Sequence, residues 1–579
     1  MHCVPSSSVI LGISEEHDAG VSVVVDGVVV FACNEERFTR KKIQGGFPTL
    51  ALREAVSFLR SRDLLSAVQY IAVASTVHVP YTRGLWERRP TFLQACIAWL
   101  SFFGFQRLFL GTLAGITALR KVHEACFLSW RLRRIKRELI EAGIPDRPLI
   151  ALDHHSCHAS SAYRTSGLER CMAITLDAAG DGYCSRVFLC ENGVMKPLHE
   201  VPFLHSIANY YLMTTLALGF KDGQEGKVTG LAAHGDPRNR ALDFLRQRIA
   251  YLPGKLCFRN RGSSLFAEVP LLEKAFHGLS REDVAAAMQM HLEETVIAYI
   301  RDCVATFGGH DLPLALAGGV FANVRLNQRI AEAIARPLFV HPHMGDGGLA
   351  TGAALLRSMH VDPVSKPSEL GDVFLGPSID EDAVPILAKK LGFRCEKSDA
   401  IAEDIAALLG EGKIVARVEG RMEYGPRALG HRSILCAASD TAVCERLNGK
   451  LRRSDFMPFA PAVLADDAHH YFHFTDAVRV PMRFMTITCD ATDRCKKECP
   501  AIVHIDGTAR PQLVDTASNP DFEEILKAYN ARTGIPVLVN TSFNMHEEPI
   551  VATIEEAFDV FARAELDALA IGSYVISSL

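Results

Sequence analysis

Two histidines at helical spacing and two aspartates in glycine-rich turns are the residues of this sequence best suited to hold a metal ion. The segment DHHSCHA follows a short apolar strand, and a helix starting there would place His154 and His158 on one face. His155 would point about 100° away. One or two aspartates from glycine-rich turns, Asp177 or Asp181 from one turn and Asp346 from another, would complete a mixed nitrogen and oxygen shell suited to iron, zinc or manganese. Alternatively, the aspartate turns only cap their strands.

A second glycine-punctuated segment offers a site for an anionic ligand. Gly318 and Gly319 follow a predicted strand and precede a helix, where backbone amides can bind a phosphate or nucleotide. Asn323 lies on that helix and can hydrogen-bond polar ligand atoms. Lys227 adds a positive charge on another glycine-punctuated segment, although an ordinary salt bridge would also explain it.

The turn after the first strand carries a candidate acid–base group. His17 and Asp18 stand between that strand and the next, beside a glycine. An imidazole in such a turn can act as a general base near neutral pH, and a capping or surface role is the alternative. The turn that contains Asp177 also contains Asp181, a further candidate carboxylate.

Arginines and polar residues are concentrated in an apolar, glycine- and proline-bearing part of the C-terminal region. A buried arginine needs an anionic partner, and its planar guanidinium matches phosphate. The sequence therefore predicts a pocket for a multiply anionic ligand, with a solvated basic face as the alternative; no Walker P-loop is present. The candidate residues are Arg417, Arg421, Arg427, Arg432, Asn448, Lys450, Arg510, Asn540 and Asn544.

The elements that must position these residues alternate between strands and helices, which is typical of an α/β protein. Asp26-Gly27 separates two alternating apolar runs and predicts a hairpin. A glycine- and proline-bearing stretch at 371–377 predicts a boundary, so we expect domains over 1–370 and 371–579. Other predicted strands occupy 9–12, 70–75, 149–152, 171–176, 186–190, 313–316, 338–340 and 414–418, and predicted helices occupy 49–60 and 401–409.

Residues 90–140 stand apart because two apolar runs precede a basic helix. Neither run reaches the roughly 20 apolar residues that span a bilayer. One interpretation is a buried helical insertion with a solvated basic end. The other is a membrane-surface element or a cap that binds a substrate. The basic residues are Arg131, Arg133, Arg134, Lys136 and Arg137.

Composition narrows the class of protein. The 579 residues exceed one ordinary domain, and a net charge of −5 weighs against a nucleic-acid partner. The 16 cysteines are scattered and no secretory signal is evident, which indicates a reducing cytoplasm. Cys489, Cys495 and Cys499 lie close together but form no CxxC pair, so a zinc site there is the weaker alternative to ordinary buried thiols.

Taken together, the motifs resemble those of the O-carbamoyltransferase family, which includes the nodulation-factor, tobramycin, cephamycin and novobiocin enzymes. The resemblance covers nearly the whole chain. It rests on HDA, HHxxHA, GKVxGLAA, AGGVxxN, GDGG, GRMEYGPRALGHRSIL, FMPFAP, DGTARPQ and NTSFN.

The resemblance implies an N-terminal domain with the actin and sugar-kinase fold, like the tRNA threonylcarbamoyl-transferase subunit, followed by a YrdC-like domain. It implies that carbamoyl phosphate and ATP with magnesium give carbamoyl-adenylate, whose carbamoyl group passes to a hydroxyl of a small-molecule acceptor. His17, Asp18, Arg421 and Arg427 would be catalytic. The metal, with iron expected and zinc or manganese as alternatives, would be held by the His/Asp set. Met457 of FMPFAP would join the other ligand-binding residues.

One motif departs from the family, since GNRS reads GHRS with His431. The 90–140 insertion also lies outside the motifs, which leaves the acceptor open. A tRNA-modifying threonylcarbamoyl enzyme and a non-catalytic actin-like ATPase remain as alternative functions.

Overall fold

The alternating elements form two sets of sheets that belong to different parts of the chain. The computed structural model describes residues 8–77, 127–262, 268–308, 311–452 and 459–578. The first unit comprises Met1–Glu35 and Ile43–Glu369, and the second comprises Glu36–Lys42 and Leu370–Leu579. A short segment from near the N-terminus therefore packs with the C-terminal residues.

The strands that the structure describes in the first unit form two five-stranded sheets and one small two-stranded sheet. The first strand, β1 (Val9–Ser14), is buried along its whole length, which explains its largely apolar sequence. In chain order the strands are β1 (Val9–Ser14), β2 (Gly20–Val25), β3 (Val28–Asn34), β4 (Val68–Ala74), β5 (Leu149–Leu152), β6 (Arg170–Gly180), β7 (Tyr183–Glu191), β8 (Val194–Pro202), β9 (Ile249–Leu252), β10 (Cys257–Asn260), β11 (Leu314–Ala317) and β12 (Leu338–Val340).

The two large sheets of this unit repeat one topology. Their orders are β3-β2-β1-β4-β5 and β8-β7-β6-β11-β12. In the first sheet β3, β2 and β1 are antiparallel neighbours, and β4 and β5 run parallel to β1. In the second sheet β8, β7 and β6 are antiparallel neighbours, and β11 and β12 run parallel to β6. This duplication is the arrangement expected of an actin-like domain, so the predicted fold of the first unit is confirmed.

The predicted hairpin at Asp26-Gly27 is also present. Val25 pairs with Val28, and both turn residues have positive φ, 49° at Asp26 and 81° at Gly27. Two positive φ values define the type I′ turn that asparagine or aspartate followed by glycine favours.

Helices connect the strands and cover the sheets. Strands β5 and β12 each lead into a helix, α4 (His154–Thr165) and α11 (Leu349–Val361), and these two helices pack against each other. The helices described up to residue 361 are α1 (Glu36–Thr39, in the second unit), α2 (Thr49–Ser61), α3 (Ser129–Glu141), α4 (His154–Thr165), α5 (Ile207–Ala217), α6 (Glu225–Leu231), α7 (Arg240–Arg248), α8 (Val269–Phe276), α9 (Arg281–Phe307), α10 (Val324–Ile334) and α11 (Leu349–Val361).

An eight-stranded mixed sheet forms the centre of the second unit, as expected for a YrdC-like α/β domain. Its order is β13-β23-β22-β14-β15-β21-β16-β20, and β17-β18-β19 form a separate small sheet. The strands are β13 (Arg394–Lys397), β14 (Val415–Val418), β15 (Arg432–Ala437), β16 (Ala460–Leu464), β17 (Phe472–His473), β18 (Cys489–Ala491), β19 (Thr508–Ala509), β20 (Gln512–Val514), β21 (Val537–Ser542), β22 (Ala568–Ile571) and β23 (Tyr574–Ser577).

The core of this unit lies between the eight-stranded sheet and two helices that pack together. Ile405, Leu409, Phe522 and Leu526 from these helices are buried against apolar strand residues. The helices of the unit after residue 370 are α12 (Val384–Leu391), α13 (Ile401–Gly410), α14 (Thr441–Leu451), α15 (Ala468–Tyr471), α16 (Arg479–Arg483), α17 (Asp493–Glu498), α18 (Pro520–Thr533) and α19 (Ile554–Arg563).

The described part of the 90–140 insertion includes the basic helix α3, and residues 90–126 lie outside the described residues. Arg133 and Arg137 of this basic helix are exposed, whereas Arg131 is only 3% exposed and pairs with buried Glu15 at 2.9 Å. Throughout the described ranges, no helix combines the length and apolar character needed to cross a bilayer.

Candidate metal centre and anion-binding loop

Four buried side chains of the first unit converge at the carboxyl ends of its strands. His154 and His158 lie in the first turns of α4, Asp177 lies near the end of β6, and Asp346 precedes α11. One ligand atom from each residue lies within 4.8 Å of those of the other three. The duplicated topology brings the ligands from both halves of the unit to one point.

The donor atoms of this cluster fit a metal ion. The shortest contacts are 3.3 Å, from His158 Nε2 to Asp177 Oδ2 and to Asp346 Oδ1, and His154 Nε2 is 3.6 Å from Asp346 Oδ1. His154 Nε2, both His158 nitrogens and Asp346 Oδ1 are buried without a hydrogen-bond partner. Of these, His154 Nε2, His158 Nε2 and Asp346 Oδ1 face one another, and because unpaired buried polar atoms are costly, these three atoms indicate a place for a cation.

The charges within the cluster are strongly coupled. Burial lowers the pKa of His158, but Asp177 and then Asp346 outweigh it and raise that pKa to about 9. Burial opposes ionisation of Asp177, yet His158 holds the pKa of this carboxyl well below its usual range. The two carboxylates therefore create a negative field that attracts a positive group.

The sequence positions the two histidines through the start of α4. Asp153 caps the helix by accepting a hydrogen bond from the Ser156 amide at 2.9 Å. Asp181, the further candidate carboxylate, accepts from the His154 amide at 2.8 Å and therefore braces the same helix end. Gly180 is required beside it, because a Cβ there would lie 2.1 Å from the His154 ring.

One glycine of the pair predicted to bind phosphate contacts a ligand of the cluster. Gly319 N–H donates to Asp177 Oδ2 at 3.0 Å, and Gly318 has a φ of 108°. A side chain at Gly318 would be strained and would also meet the Leu176 carbonyl oxygen at 2.2 Å. These two glycines position Asp177, and their predicted contact with a ligand phosphate stays a prediction.

His17 and Asp18 lie beside the cluster. His17 Nε2 is 3.1 Å from Asp346 Oδ2, and its Nδ1 is 3.2 Å from Asp18 Oδ2. Desolvation lowers the pKa of His17, but Asp346 and Asp18 raise it well above its usual range. The sequence did not indicate that this imidazole would contact a predicted metal ligand.

Asn34 is a supporting residue that sequence reasoning missed. Its amide nitrogen donates to the Asp18 carbonyl oxygen at 2.8 Å and to the Gly347 carbonyl oxygen at 3.4 Å. Its Oδ1 lies 3.0 Å from His343 Nε2. Asn34 therefore joins the turn that carries His17 to the turn that carries Asp346. No local motif marks it, since it is a polar residue at the end of an apolar strand.

The remaining residues predicted in the first unit have other surroundings. His155 points away from the cluster as predicted, with Nδ1 2.8 Å from Thr175 Oγ1. Asn323 caps α10 by accepting from the Leu326 amide at 3.0 Å, and it donates to Gln289 at 2.7 Å in a separate polar network. Lys227 is half-buried on α6. The predicted ligand contacts of Asn323 and Lys227 stay predictions.

In the second unit, two of the predicted arginines hold the loop between β14 and β15. Arg417 donates to the Gly430 carbonyl oxygen at 2.8 Å. Arg432 is fully buried and donates to the carbonyl oxygens of Glu419 and Gly420, the latter at 3.1 Å. These contacts give both residues a structural role, beside the ligand-binding role that stays a prediction.

A buried carboxylate organises the same loop. Glu423 Oε1 accepts three backbone hydrogen bonds, from Leu429, His431 and Arg432, at 2.9, 2.8 and 3.0 Å. Its Oε2 is buried without a hydrogen-bond partner. His431, where the family motif has asparagine, stacks on Phe374 with ring centroids 3.5 Å apart.

The other predicted anion-binding residues fall into two groups. Arg427 and Arg510 are half-buried, as is Arg421, which donates to the Gly376 carbonyl oxygen at 3.0 Å. Met457 lies outside the described residues. Three others donate hydrogen bonds within the unit: Asn540 to Gln512 at 2.7 Å, Asn544 to the Glu548 carbonyl oxygen, and Lys450 to the Glu565 carbonyl oxygen. Asn448 is half-buried on α14.

The cysteines considered for zinc behave as buried thiols. Cys489, Cys495 and Cys499 are buried and unbridged, and burial raises the pKa of Cys495 to about 12. Among the residues that the structure describes, the group suited to a metal is the His/Asp cluster.

Comparison with known proteins agrees with the motifs over both units. The family model described as Carbamoyltransferase N-terminus matches residues 9–355, and the one described as Carbamoyltransferase C-terminus matches 406–578. The nodulation protein NolNO of Sinorhizobium fredii is 30% identical over 572 residues, which cover 97% of this chain and 79% of that protein. NolO of Bradyrhizobium diazoefficiens is 33% identical over 433 residues, 73% of this chain and 78% of NolO.

Among solved structures, component A of the (R)-2-hydroxyglutaryl-CoA dehydratase of Acidaminococcus fermentans aligns with 60% of this chain and 96% of its own, at a TM-score of 0.32 and 14% identity. A likeness this low carries no argument about function. The two family models and the relatives over most of the chain do, and by them this chain belongs to the carbamoyltransferase family of enzymes.

Proposed function

We propose that the His/Asp cluster holds a divalent metal ion and that carbamoyl transfer to a hydroxyl of a small-molecule acceptor takes place there. The second unit would supply the donor, carbamoyl-adenylate, from carbamoyl phosphate and ATP with magnesium. One observation carries the proposal: in a chain of this family, His154 Nε2, His158 Nε2 and Asp346 Oδ1 meet in a buried site without hydrogen-bond partners.

The proposed reaction balances in three steps. Water cleaves carbamoyl phosphate to carbamate and phosphate. A carbamate oxygen then attacks the α-phosphorus of ATP, which gives carbamoyl-adenylate and releases pyrophosphate. The acceptor hydroxyl finally attacks the carbamoyl carbon; its proton is released, the bond to the adenylate oxygen breaks, and AMP leaves. Because carbamate decomposes in water, the early steps need a site that excludes solvent.

The residues of the cluster suit the transfer step. Two imidazole nitrogens and two carboxylates match iron, which we expect, and also zinc or manganese. A bound cation supplies positive charge that can hold the adenylate phosphate and polarise the carbamoyl carbonyl. The Gly319 amide keeps Asp177 oriented, and the Asp153 cap keeps both histidines in the first turns of α4.

His17 is the group that we propose takes the proton of the acceptor hydroxyl. Its Nε2 lies 3.1 Å from Asp346 Oδ2, and its side chain is 39% exposed, which leaves it reachable from solvent. Asp346 and Asp18 raise the pKa of His17, so this role requires the bound metal ion to balance the charge of Asp346 and Nε2 to leave that carboxylate when the acceptor binds, which leaves a neutral imidazole that can accept a proton. Asp18 would then keep the ring oriented through Nδ1.

The second unit has the charge needed for activation. ATP and carbamoyl phosphate together are strongly anionic, and guanidinium groups bind phosphate oxygens through two parallel hydrogen bonds. Arg421, Arg427 and Arg510 are half-buried and are the arginines that we propose contact these substrates. Arg417, Arg432 and Glu423 would keep the loop around them closed.

Pyrophosphate release tests the proposed activation and separates it from the alternative chemistry. The purified chain with ATP and magnesium should release pyrophosphate when carbamoyl phosphate is added, and not when threonine and bicarbonate are added. The reverse result would favour a threonylcarbamoyl enzyme and contradict the proposal. A metabolite extract supplied with both substrates should then yield a product heavier by one carbamoyl group, which mass spectrometry would identify together with the acceptor.

A further inference from the structure

Ser75 contacts a proposed metal ligand although no motif marks it. It follows β4, is 1% exposed, and has a φ of 67°, in the left-handed region that serine rarely adopts. Its Oγ lies 3.1 Å from His154 Nδ1. If Nδ1–H donates to this oxygen, the lone pair of His154 Nε2 faces Asp346, which is the tautomer that a metal ligand needs.

A buried arginine fixes the backbone of Ser75. Arg131 donates from Nη1 to the Ser75 carbonyl oxygen at 2.5 Å and from Nη2 to the Ala74 carbonyl oxygen at 3.1 Å. Its Nε donates to Glu15 at 2.9 Å. Each nitrogen of the guanidinium therefore has a partner, and two of them hold the strand end at the unusual φ of Ser75.

Glu15 connects this arginine to the other side of the site. It is 1% exposed, follows β1 directly, and stands two residues before His17. Arg134 also pairs with it, so two arginines of α3 contact one buried carboxylate. A buried charge is stable only when it is paired, which makes the position of α3 dependent on Glu15.

The residues after Ser75 are fixed to the same helix end as His154. Asp181 accepts from the Thr76 amide at 3.0 Å and the Val77 amide at 2.6 Å, while its Oδ2 also accepts from the His154 amide. Two independent sets of contacts, from Arg131 and from Asp181, therefore hold the segment Ser75–Val77 against the start of α4.

We infer that Ser75 is a positioning residue of the metal centre, and that Arg131 and Glu15 hold it in place. The Ser75 hydroxyl orients His154, and the Arg131–Glu15 pair fixes Ser75 and the turn before His17. This inference rests on the proposed metal site. It also assigns a task to α3, since part of the basic helix belongs to the support of the metal centre.

Metal affinity in two Ser75 variants tests the inference. Ser75→Ala removes the hydroxyl and keeps the strained φ, whereas Ser75→Gly removes the hydroxyl and relieves the strain. We expect both to weaken binding of Zn²⁺ by about 10–100-fold, the usual effect of losing a residue that orients a ligand. Only Ser75→Ala should also lose thermal stability. Zn²⁺ affinity is measured on the metal-free full chain by competition with a chromophoric chelator.

Matched controls separate positioning from general damage to the fold. Ser22→Ala removes another buried serine hydroxyl, one that donates to the Phe31 carbonyl, and should keep the parental Zn²⁺ affinity. Arg131→Lys keeps the positive charge but loses the planar guanidinium that donates to both the Ser75 and the Ala74 carbonyl oxygens, and it should weaken Zn²⁺ binding about 10-fold. Arg164→Lys, at a buried arginine that donates to the Ser365 carbonyl, should not.

The outcomes distinguish this inference from the function on which it rests. A parental chain that binds no Zn²⁺ would overturn the proposed metal centre itself. A parental chain that binds Zn²⁺, with Ser75→Gly within about threefold of it, would leave the centre standing and overturn the role of Ser75. If Ser75→Ala does not fold, Ser75→Gly and Arg131→Lys still decide.

Discussion

The His/Asp cluster of the first unit and the arginine-bearing loop of the second use charged side chains in opposite ways. In the cluster, the buried atoms His154 Nε2, His158 Nε2 and Asp346 Oδ1 have no hydrogen-bond partner and face one another. In the loop, the guanidinium groups of Arg417 and Arg432 point at backbone carbonyl oxygens of their own unit. The sequence predicts the cluster from two histidines at helical spacing and aspartates in glycine-rich turns, and it predicts the loop from arginines concentrated in apolar, glycine-bearing sequence.

Residue type and spacing therefore predict where a charged site lies. They do not determine whether its charged groups bind a ligand or bind other groups of the protein. A pair of histidines one turn apart can only face one way from a helix, so spacing determines their common direction. An arginine can reach a carbonyl of its own loop or a phosphate with equal ease, because both accept its hydrogen bonds. In the proposed function the contacts with anionic substrates therefore fall to the half-buried arginines Arg421, Arg427 and Arg510.

The largest expected effect breaks the loop itself. Arg432→Met would remove the charged hydrogen bonds to the carbonyl oxygens of the half-buried residues Glu419 and Gly420, worth about 1.5–3 kcal/mol each. We expect a clear fall in the denaturant midpoint of the full chain, followed by circular dichroism. Arg427→Met, at a half-buried position, should change it little. An equal midpoint in the two variants would contradict the structural role of Arg432.

The next effect concerns activation and should leave stability alone. Arg427→Ala and Arg510→Ala each remove a charge-assisted hydrogen bond of about 1.5–3 kcal/mol, which is about 10–150-fold in rate. The measurement is pyrophosphate release that depends on carbamoyl phosphate. Arg494→Ala, at an exposed arginine paired with Glu498, serves as the control. Parental release in both test variants would remove these arginines from the proposed pocket.

A smaller effect is expected where the first unit relies on a supporting residue. Asn34→Ala removes the amide that joins the His17 turn to the Asp346 turn, and we expect metal affinity to fall about 10-fold. Chelator competition with Zn²⁺ measures it. Asn260→Ala, which removes an amide that bonds Leu204 in the same unit, is the matched control. Equal affinities in the two variants would show that Asn34 does not support the site.

The smallest effect concerns the outer face of α3. Arg131 and Arg134 pair with Glu15, and Lys136 lies 2.6 Å from Asp146, which leaves Arg133 and Arg137 to act on a membrane. At about 1 kcal/mol each they give at most weak attraction to anionic lipid. Reversing both charges should therefore leave flotation with phosphatidylserine vesicles unchanged. If the parental protein binds the vesicles and the charge reversal abolishes this binding, the membrane-surface interpretation of this helix is supported.

Much of the fold could be predicted from local sequence. The strand at 149–152 and the strand at 338–340 have the predicted bounds, and the helix predicted from Thr49 to Arg60 ends at Ser61. Short apolar runs between turn residues define such elements well. The duplication of the two sheets follows from the actin-like fold that the resemblance implies, but local sequence does not show it, because pairing of β6 with β11 depends on residues far apart in the chain.

The candidate site was predictable in part for the same reason. His154, His158, Asp177 and Asp346 each carry a local signal, either helical spacing or a glycine-rich turn. Ser75, Asn34 and Arg131 carry none: their importance lies in contacts such as Ser75 to His154, which join residues 79 positions apart. Supporting residues of this kind become visible only when the fold places them.

The metal content of His158→Ala, compared with the parental chain and with His291→Gln, tests the central claim most directly. His291 is a buried histidine of the same unit that bonds the Ile249 carbonyl oxygen, so its variant controls for loss of a buried imidazole. Elemental analysis should find about one divalent metal ion per chain in the parental protein and in His291→Gln. It should find little in His158→Ala, which should still release pyrophosphate from ATP and carbamoyl phosphate. Parental metal content in His158→Ala would contradict the account.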